Sequence, residues 1–212
     1  MLAVTSVRLL VALCLWVFVG SNAGAQTPRS WNFEVFLNDK KVGWHHFVLE
    51  AVDEEMQLTS TASFDFKVFL FYPVKYRHRA VEQWRGDCLI AIESHTEKRG
   101  KTIAFVGQQT AEGFSVSVGG ERKLLPSCLR SFTYWNADWL DGDALLNGEN
   151  GEYWSVAIDR KEIPSGEELK LTTPAGDIRL RYDQRGDWQY LESKITAVGM
   201  LSYRRQVSEV SP

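Results

Sequence analysis

His78 and Glu82 are ionisable residues on a strand face that is otherwise apolar. In the predicted strand 74–84 they share the parity of Val74 and Trp84, which places all four side chains on one side of a sheet. Buried ionisable groups are costly unless they are paired. An imidazole next to a carboxylate can support proton transfer, so the pattern indicates either a polar site or a mutually satisfied pair.

Two more histidines show a similar pattern. His46 has the parity of Trp44, and His95 has the parity of Leu89 on the predicted strand 89–97. If these strands lie side by side, imidazoles and carboxylates converge on the concave face of the sheet. The strand residues of this predicted pocket are His46, His78, Glu82, Trp84 and His95.

The same residues also have a structural interpretation. A β-bulge reverses the parity of the residues that follow it, and Phe47 and Leu49 give the strand around His46 a second apolar face. The histidines lack the close spacing of metal ligands on one helix face. The sequence therefore assigns no catalytic residue, no metal ligand and no cofactor.

Residues 125–151 are rich in aromatic side chains but lack strand alternation. The pattern predicts one short helix near 127–140, followed by turns. Tyr134, Trp135 and Asn136 complete the predicted pocket, because aromatic rings beside an amide can hold a sugar or an acyl chain. The alternative is that this aromatic run packs the segment onto the sheet.

Other polar residues in this segment do not form a recognisable site. Ser127 and Ser131 lack the Gly-x-Ser-x-Gly turn that exposes a nucleophilic serine. Asp138, Asp141 and Asp143 lack the oxygen-ligand spacing of a calcium loop that ends in glutamate. Helix capping and solvated turns are the roles expected of these aspartates.

Strands must position all of these residues, because apolar and polar side chains alternate along most of the chain. In residues 56–68 the even positions are mainly apolar and the odd positions are mainly polar. About ten to twelve such runs are separated by hairpin-like turns. A one-sided sheet of this size must curl or pair to cover its apolar face. The sequence predicts a mainly β fold, a large curved antiparallel sheet or open β-barrel with one short helical insertion near 127–140.

The first 25 residues have the features of a signal peptide. Arg8 precedes the apolar run 9–19, and small residues lead to Ala25, after which cleavage is expected. The apolar run is too short to cross a bilayer comfortably, which takes about 20 residues. We therefore expect residues 1–25 to be a signal peptide and residues 26–212 to form a single antiparallel β domain that is periplasmic or secreted. No later segment is apolar enough to span a membrane.

Two cysteines lie outside the predicted signal peptide. Cys88 and Cys128 are an even pair in an oxidising compartment, which predicts a disulfide; two buried free thiols are the alternative.

The net charge is −3, and acidic and basic residues are mixed along the chain. Nucleic acid is not an expected partner, because binding to its phosphates is favoured by clusters of Lys and Arg.

A set of motifs is spread over nearly the whole mature chain. The set comprises Trp31-Asn32-Phe33-Glu34-Val35, Val42-Gly43-Trp44-His45, Tyr76, His78, Glu82-x-Trp84, Gly86, Cys88-Leu89, Pro126-x-Cys128 and Ser131-Phe132-Thr133-Tyr134-Trp135-Asn136. In these residues the chain resembles the exported bacterial proteins grouped as domain of unknown function 6134. The resemblance implies an exported β-rich fold and no activity. The curved sheet is also similar to the half-barrels of periplasmic lipoprotein carriers, a likeness of fold that does not fix function.

Three functions are compatible with these features. We expect a non-catalytic protein whose curved sheet holds an apolar or amphipathic small molecule, or docks an envelope protein. The motivation is the presence of 8 Trp, 7 Tyr and 11 Phe on a fold that tends to form a concavity. The alternative is an enzyme that uses a His–Glu pair on the concave face. A purely structural envelope component is the third hypothesis.

Overall fold

The computed structural model describes residues 27–68, 72–196 and 198–206, and β-strands dominate these ranges. One turn of 3-10 helix spans Ala137–Trp139. The strands are β1 (Arg29–Leu37), β2 (Lys40–Val52), β3 (Glu55–Val68), β4 (Tyr72–Arg85), β5 (Cys88–Lys98), β6 (Lys101–Thr110), β7 (Gly113–Val118), β8 (Glu121–Leu125), β9 (Ala144–Leu146), β10 (Tyr153–Ser155), β11 (Ala157–Ile163), β12 (Gly166–Thr173), β13 (Gly176–Asp183), β14 (Trp188–Ile195) and β15 (Gly199–Arg205).

All of these strands except β9 and β10 belong to one 13-stranded antiparallel sheet. Its order is β11-β12-β13-β14-β15-β1-β2-β3-β4-β5-β6-β7-β8. Strands β1 to β8 form one meander, β11 to β15 form a second, and pairing between β1 and β15 joins the two. The predicted mainly β fold with a large antiparallel sheet is confirmed. Within the described residues the sheet is not closed into a barrel, and β8 and β11 are its edges.

One face of the sheet, called the inner face below, carries most of the apolar side chains. Strand β1 illustrates the alternation, because Trp31, Phe33 and Val35 are buried and the residues between them are partly exposed. Phe33 packs on Trp188 of β14 with 4.2 Å between ring centroids. Burial of one such side chain contributes roughly 1.5–3 kcal/mol, so the inner face stabilises the fold only while it is kept from water.

The connection between the two edges of the sheet lies against the inner face. Residues 126–156, called the covering segment below, link β8 to β11 and contain β9 and β10, which pair with each other. Leu140, Leu145 and Leu146 of this segment are fully buried. The covering segment therefore shields the inner face from water.

The helical insertion predicted near 127–140 is reduced to the single turn Ala137–Trp139. The Ala137 carbonyl oxygen accepts the helical hydrogen bond from the backbone N–H of Leu140 at 3.1 Å. The carbonyl oxygens at the end of this turn also bond to the sheet. The guanidinium of Arg160 on β11 donates to the carbonyl oxygens of Ala137, at 2.5 Å, and Leu140, at 3.0 Å.

A β-bulge in β2 corrects the predicted orientation of His46. The register between β1 and β2 shifts between Val35 and Phe36, and Val42 is the extra residue on β2. After this bulge the buried positions are odd-numbered, so His45 points toward the inner face. His46 lies on the outer face, where its ring stacks on Trp44 at 4.4 Å.

A second bulge, in β5, corrects the predicted orientation of His95. Leu89 pairs with Trp84 and Ala91 pairs with Gln83, so Ile90 is an extra residue. Leu89 is buried, but the inward parity changes after Ile90, and His95 is exposed on the outer face.

The predicted signal peptide, residues 1–25, and its cleavage position after Ala25 lie outside the described residues. No helix in the described part of the chain is long and apolar enough to cross a bilayer.

Cys88 and Cys128 form a disulfide, as predicted, with 4.5 Å between their Cα atoms. The bond joins the start of β5 to the covering segment. Next to it, the backbone N–H of Leu89 donates to the carbonyl oxygen of Leu129 at 3.0 Å. The disulfide and this hydrogen bond together attach the first part of the covering segment to the sheet.

Replacing both cysteines with serine (C88S/C128S) is expected to lower the free energy of unfolding by about 4 kcal/mol. The reason is that the disulfide closes a loop of sequence separation 40 in the unfolded chain. Urea denaturation of the oxidised protein and the double variant measures the difference. A loss below about 1 kcal/mol would show that the disulfide does not restrain the unfolded chain in this way.

Candidate functional site

A cavity of about 260 Å³ remains between the inner face and the covering segment. Its walls combine aliphatic and aromatic side chains with a few polar groups from β2, β3, β4 and the covering segment. The lining residues are His45, Phe47, Leu58, Ser60, Tyr76, His78, Ala80, Glu82, Phe132, Tyr134, Asn147, Gly148, Glu149, Trp154 and Ile178.

The cavity also reveals how strongly the sheet curves. Ile178 of β13 and His78 of β4 both line it, although six strand spacings separate β13 from β4 in the sheet. In a flat sheet these strands would be roughly 29 Å apart, at about 4.8 Å per spacing. The curvature brings opposite parts of the inner face to the same small volume.

His78 and Glu82 lie on the inner face of β4, but they do not form a pair with each other. His78 Nδ1 lies 2.9 Å from Thr96 Oγ1 on β5. Glu82 accepts hydrogen bonds from Ser131 Oγ at 2.9 Å and from Trp84 Nε1 at 3.1 Å. The imidazole and the carboxylate therefore have separate partners, and the geometry does not provide the His–Glu proton-transfer pair.

A second imidazole reaches the cavity from β2. His45 Nε2 lies 2.7 Å from Ser60 Oγ on β3, and His45 Nδ1 lies 3.3 Å from the Tyr203 hydroxyl on β15. The His45 and His78 rings are 6.2 Å apart. Two imidazoles thus occupy one wall of the cavity, with His78 held by one hydroxyl group and His45 held by two.

Two buried hydroxyl groups on β5 bond to the backbone of the covering segment. Ser94 Oγ donates to the Gly148 carbonyl oxygen at 2.6 Å, and Thr96 Oγ1 donates to the Glu149 carbonyl oxygen at 3.0 Å. Lys98 forms an ion pair with the Glu149 carboxylate at 2.8 Å. These bonds fix the position of residues that form one edge of the cavity.

Burial controls the charge of the cavity. It lowers the pKa of His78 to about 4, and the Glu149 carboxylate only partly opposes this effect. It also lowers the pKa of His45 well below its usual range, with a further contribution from neighbouring imidazoles. Burial raises the pKa of Glu82 to about 7 although two hydrogen bonds favour the carboxylate. At neutral pH both imidazoles are uncharged, and Glu82 keeps its proton to a higher pH than an exposed glutamate does.

The predicted aromatic residues divide between the cavity and the core. Tyr134 lines the cavity. Trp84 and Trp135 are buried outside it and pack on each other at 6.2 Å, and both also contact Trp139. Asn136 caps the 3-10 turn by accepting a hydrogen bond from the backbone N–H of Asp138. The run therefore packs the covering segment and contributes one ring to the cavity.

Sequence analysis missed His45 and Ser60, which the structure places at the cavity wall. The available signal was Gly43, because a glycine inside a strand marks a bulge or a close backbone approach. A Cβ atom at Gly43 would lie 1.9 Å from the Ser63 carbonyl oxygen. Recognising a bulge there would have reversed the parity assigned to the following histidines.

Metal binding has little geometric support in the part of the chain that the structure describes. One group of three His, Cys, Asp or Glu residues there has ligand atoms close together, namely Asp87, Cys88 and Cys128. The two cysteine sulfurs are bonded to each other, so they are not available as thiolate ligands.

The variant Glu82→Gln is expected to be more stable than the wild type at pH 8 by about 3 kcal/mol. Burial raises the pKa of Glu82 from 4.5 to about 7. Between these pH values the folded protein keeps a proton that the unfolded chain releases, so the wild type loses stability as the pH rises. Glutamine resembles the protonated carboxyl and removes this loss.

Urea denaturation at pH 5 and pH 8 tests this expectation, with the gain reduced to below about 1 kcal/mol at pH 5. The matched control is Glu93→Gln on the exposed outer face of β5, where a change within about 0.5 kcal/mol is expected at both pH values. An equal stability of wild type and Glu82→Gln at pH 8 would contradict the assigned burial effect.

Comparison with known proteins identifies a family and a fold. The sequence model described as "Domain of unknown function (DUF6134)" matches residues 33–206. No curated protein matches the chain. The crystal structure of a beta-barrel-like protein of domain of unknown function DUF1849 from Brucella abortus is similar in fold, with a TM-score of 0.59 and 8% identity over 84% of this chain and 95% of that chain. Because the family match spans most of the sequence, this chain belongs to the DUF6134 family.

Proposed function

We propose that residues 26–212 form a periplasmic or secreted binding domain that holds a small amphipathic molecule between its sheet and its covering segment. The observation that carries this proposal is the cavity of about 260 Å³, in which apolar side chains surround a few convergent polar groups. Ligand sites typically combine an apolar lining with a small number of placed hydrogen-bonding groups.

The distribution of groups around the cavity supports an amphipathic ligand. Phe47, Leu58 and Ile178 offer apolar contacts. His45, His78 and Ser60 provide hydrogen-bonding atoms on one wall. A molecule with an apolar body and one polar head would match both parts.

The size of the cavity supports a small molecule more than a protein segment. A volume of about 260 Å³ accommodates roughly nine water-sized groups at about 30 Å³ each. An eight-carbon chain with one polar atom has a comparable number of non-hydrogen atoms.

Native mass spectrometry of the protein purified from the cell envelope is the first test. The expected result is a bound species of small mass that is released on collisional activation. Repeated gentle preparations without any such adduct, together with no binding of added octan-1-ol, would refute the binding role and favour a structural component.

Filling the cavity should weaken binding without unfolding the protein. Ala80 is buried and lines the cavity, so Ala80→Leu is expected to weaken octan-1-ol binding at least about tenfold, because extra carbon atoms occupy the ligand's volume. Isothermal titration calorimetry measures the change, and thermal denaturation checks the fold.

Val81→Leu is the matched control, because Val81 is the neighbouring residue on β4 and has the opposite, outward parity. It should bind octan-1-ol within about twofold of the wild type. Equal binding by both variants would place the ligand outside this cavity.

A further inference from the structure

The hydrogen-bonding state of His78 can be assigned by counting protons. The Thr96 hydroxyl has one hydrogen and two lone pairs. It lies 3.0 Å from the Glu149 carbonyl oxygen, which can only accept, so the Thr96 hydrogen is used in that bond. His78 Nδ1 lies 2.9 Å from the same hydroxyl oxygen and must therefore be the donor.

This assignment leaves the other ring nitrogen of His78 as an acceptor. A neutral imidazole has one N–H, so a proton on Nδ1 leaves a lone pair on Nε2. Burial keeps the ring neutral at pH 7, since it lowers the pKa of His78 to about 4. Within residues 27–68, 72–196 and 198–206 no group forms a hydrogen bond to His78 Nε2, and His78 lines the cavity.

The neighbouring imidazole can adapt to a ligand in a way that His78 cannot. His45 bonds Ser60 through one nitrogen and Tyr203 through the other. One of these hydroxyls donates to the ring and the other accepts from it, and exchange of tautomer reverses both bonds. Ser60 can thus either donate to a ligand or accept from it, whereas His78 Nε2 can only accept.

The charges around the cavity oppose an anionic ligand. Among the residues that the structure describes, its lining includes the carboxyl groups of Glu82 and Glu149 but no Lys or Arg. The ammonium group of Lys98 forms an ion pair with the Glu149 carboxylate. A carboxylate or phosphate would meet acceptors and negative charge without a cationic partner, and burial of an unpaired charge is costly.

We infer that the cavity, if it has the proposed binding function, selects an uncharged amphipathic alcohol or amide whose hydroxyl or N–H donates a hydrogen bond to His78 Nε2. The apolar part of this ligand lies against Phe47, Leu58 and Ile178. Head groups that only accept hydrogen bonds leave His78 Nε2 buried without a partner, and anionic head groups are disfavoured by the missing cationic partner.

Three probes of similar size separate these head groups: octan-1-ol, methyl heptyl ether and octanoate. Calorimetric titration of the intact protein at pH 7 is expected to give octan-1-ol an affinity at least about tenfold higher than the ether, because a buried acceptor without a partner is costly. Octanoate is expected to bind more weakly than octan-1-ol by a similar factor or more.

Two variants of His78 test the assigned atom. In His78→Asn the side-chain amide nitrogen can replace Nδ1 and still donate to Thr96, but no atom replaces Nε2. This variant is expected to reduce the preference for octan-1-ol over the ether to within about twofold. In His78→Gln the amide group reaches the position of Nε2, where its oxygen can accept from octan-1-ol and its N–H can donate to the ether. This variant should therefore keep octan-1-ol binding, with a preference between those of the wild type and His78→Asn.

The outcomes distinguish this inference from the proposed function. Equal binding of the three probes by the wild type, or tighter binding of octanoate, would overturn the head-group selection while leaving a binding cavity. An unchanged preference in a folded His78→Asn variant would overturn the role of Nε2. Failure of every probe to bind, with no co-purifying molecule, would overturn the proposed function and this inference together.

Discussion

The covering of one apolar sheet face is the constraint on which the rest of the structure depends. Two meanders that join at β1 and β15 produce a very wide sheet with a continuous apolar inner face, and they leave its edges at β8 and β11. Curvature alone cannot keep this face from water, because the described sheet does not close. The connection between the two edges supplies the missing layer, and its leucines and aromatic rings complete the core. The disulfide to the start of β5 attaches this layer where it leaves the first meander.

The covering segment is irregular and brings backbone carbonyl groups into the interior, where each needs a hydrogen-bond donor. Ser94, Thr96 and Tyr182 provide such donors from the inner face, and Arg160 does so from β11. This explains why polar residues occupy strand positions that burial would otherwise reserve for apolar ones. The covering segment does not pack against the sheet along its whole length, and the cavity is the volume that remains between them. The function that we propose follows from this incomplete contact, which leaves polar groups at the cavity wall. His78 is linked to the covering segment through Thr96, whereas His45 is held by the sheet residues Ser60 and Tyr203.

The sequence predicts the sheet well because alternation is a local property. It also places His78 and Glu82 on the inner face, since parity is continuous along that part of β4. It fails for His46 and His95 because single extra residues, Val42 and Ile90, reverse the parity of the strand and are themselves apolar. The contact between His45 and Tyr203 joins positions 158 residues apart, and no local pattern predicts such a pair. The partners of the covering segment are similarly distant in sequence, so the cavity becomes visible only in the fold.

The most direct measurement of the central claim is a filtered nuclear Overhauser experiment on the isotope-labelled protein with unlabelled octan-1-ol. Leu58 and Ile178 lie on β3 and β13, and both line the cavity. A ligand held between the curved sheet and the covering segment is predicted to give contacts to the methyl groups of both residues. Contacts confined to exposed outer-face side chains such as Val106, or the absence of any contact at saturating octan-1-ol, would contradict the account.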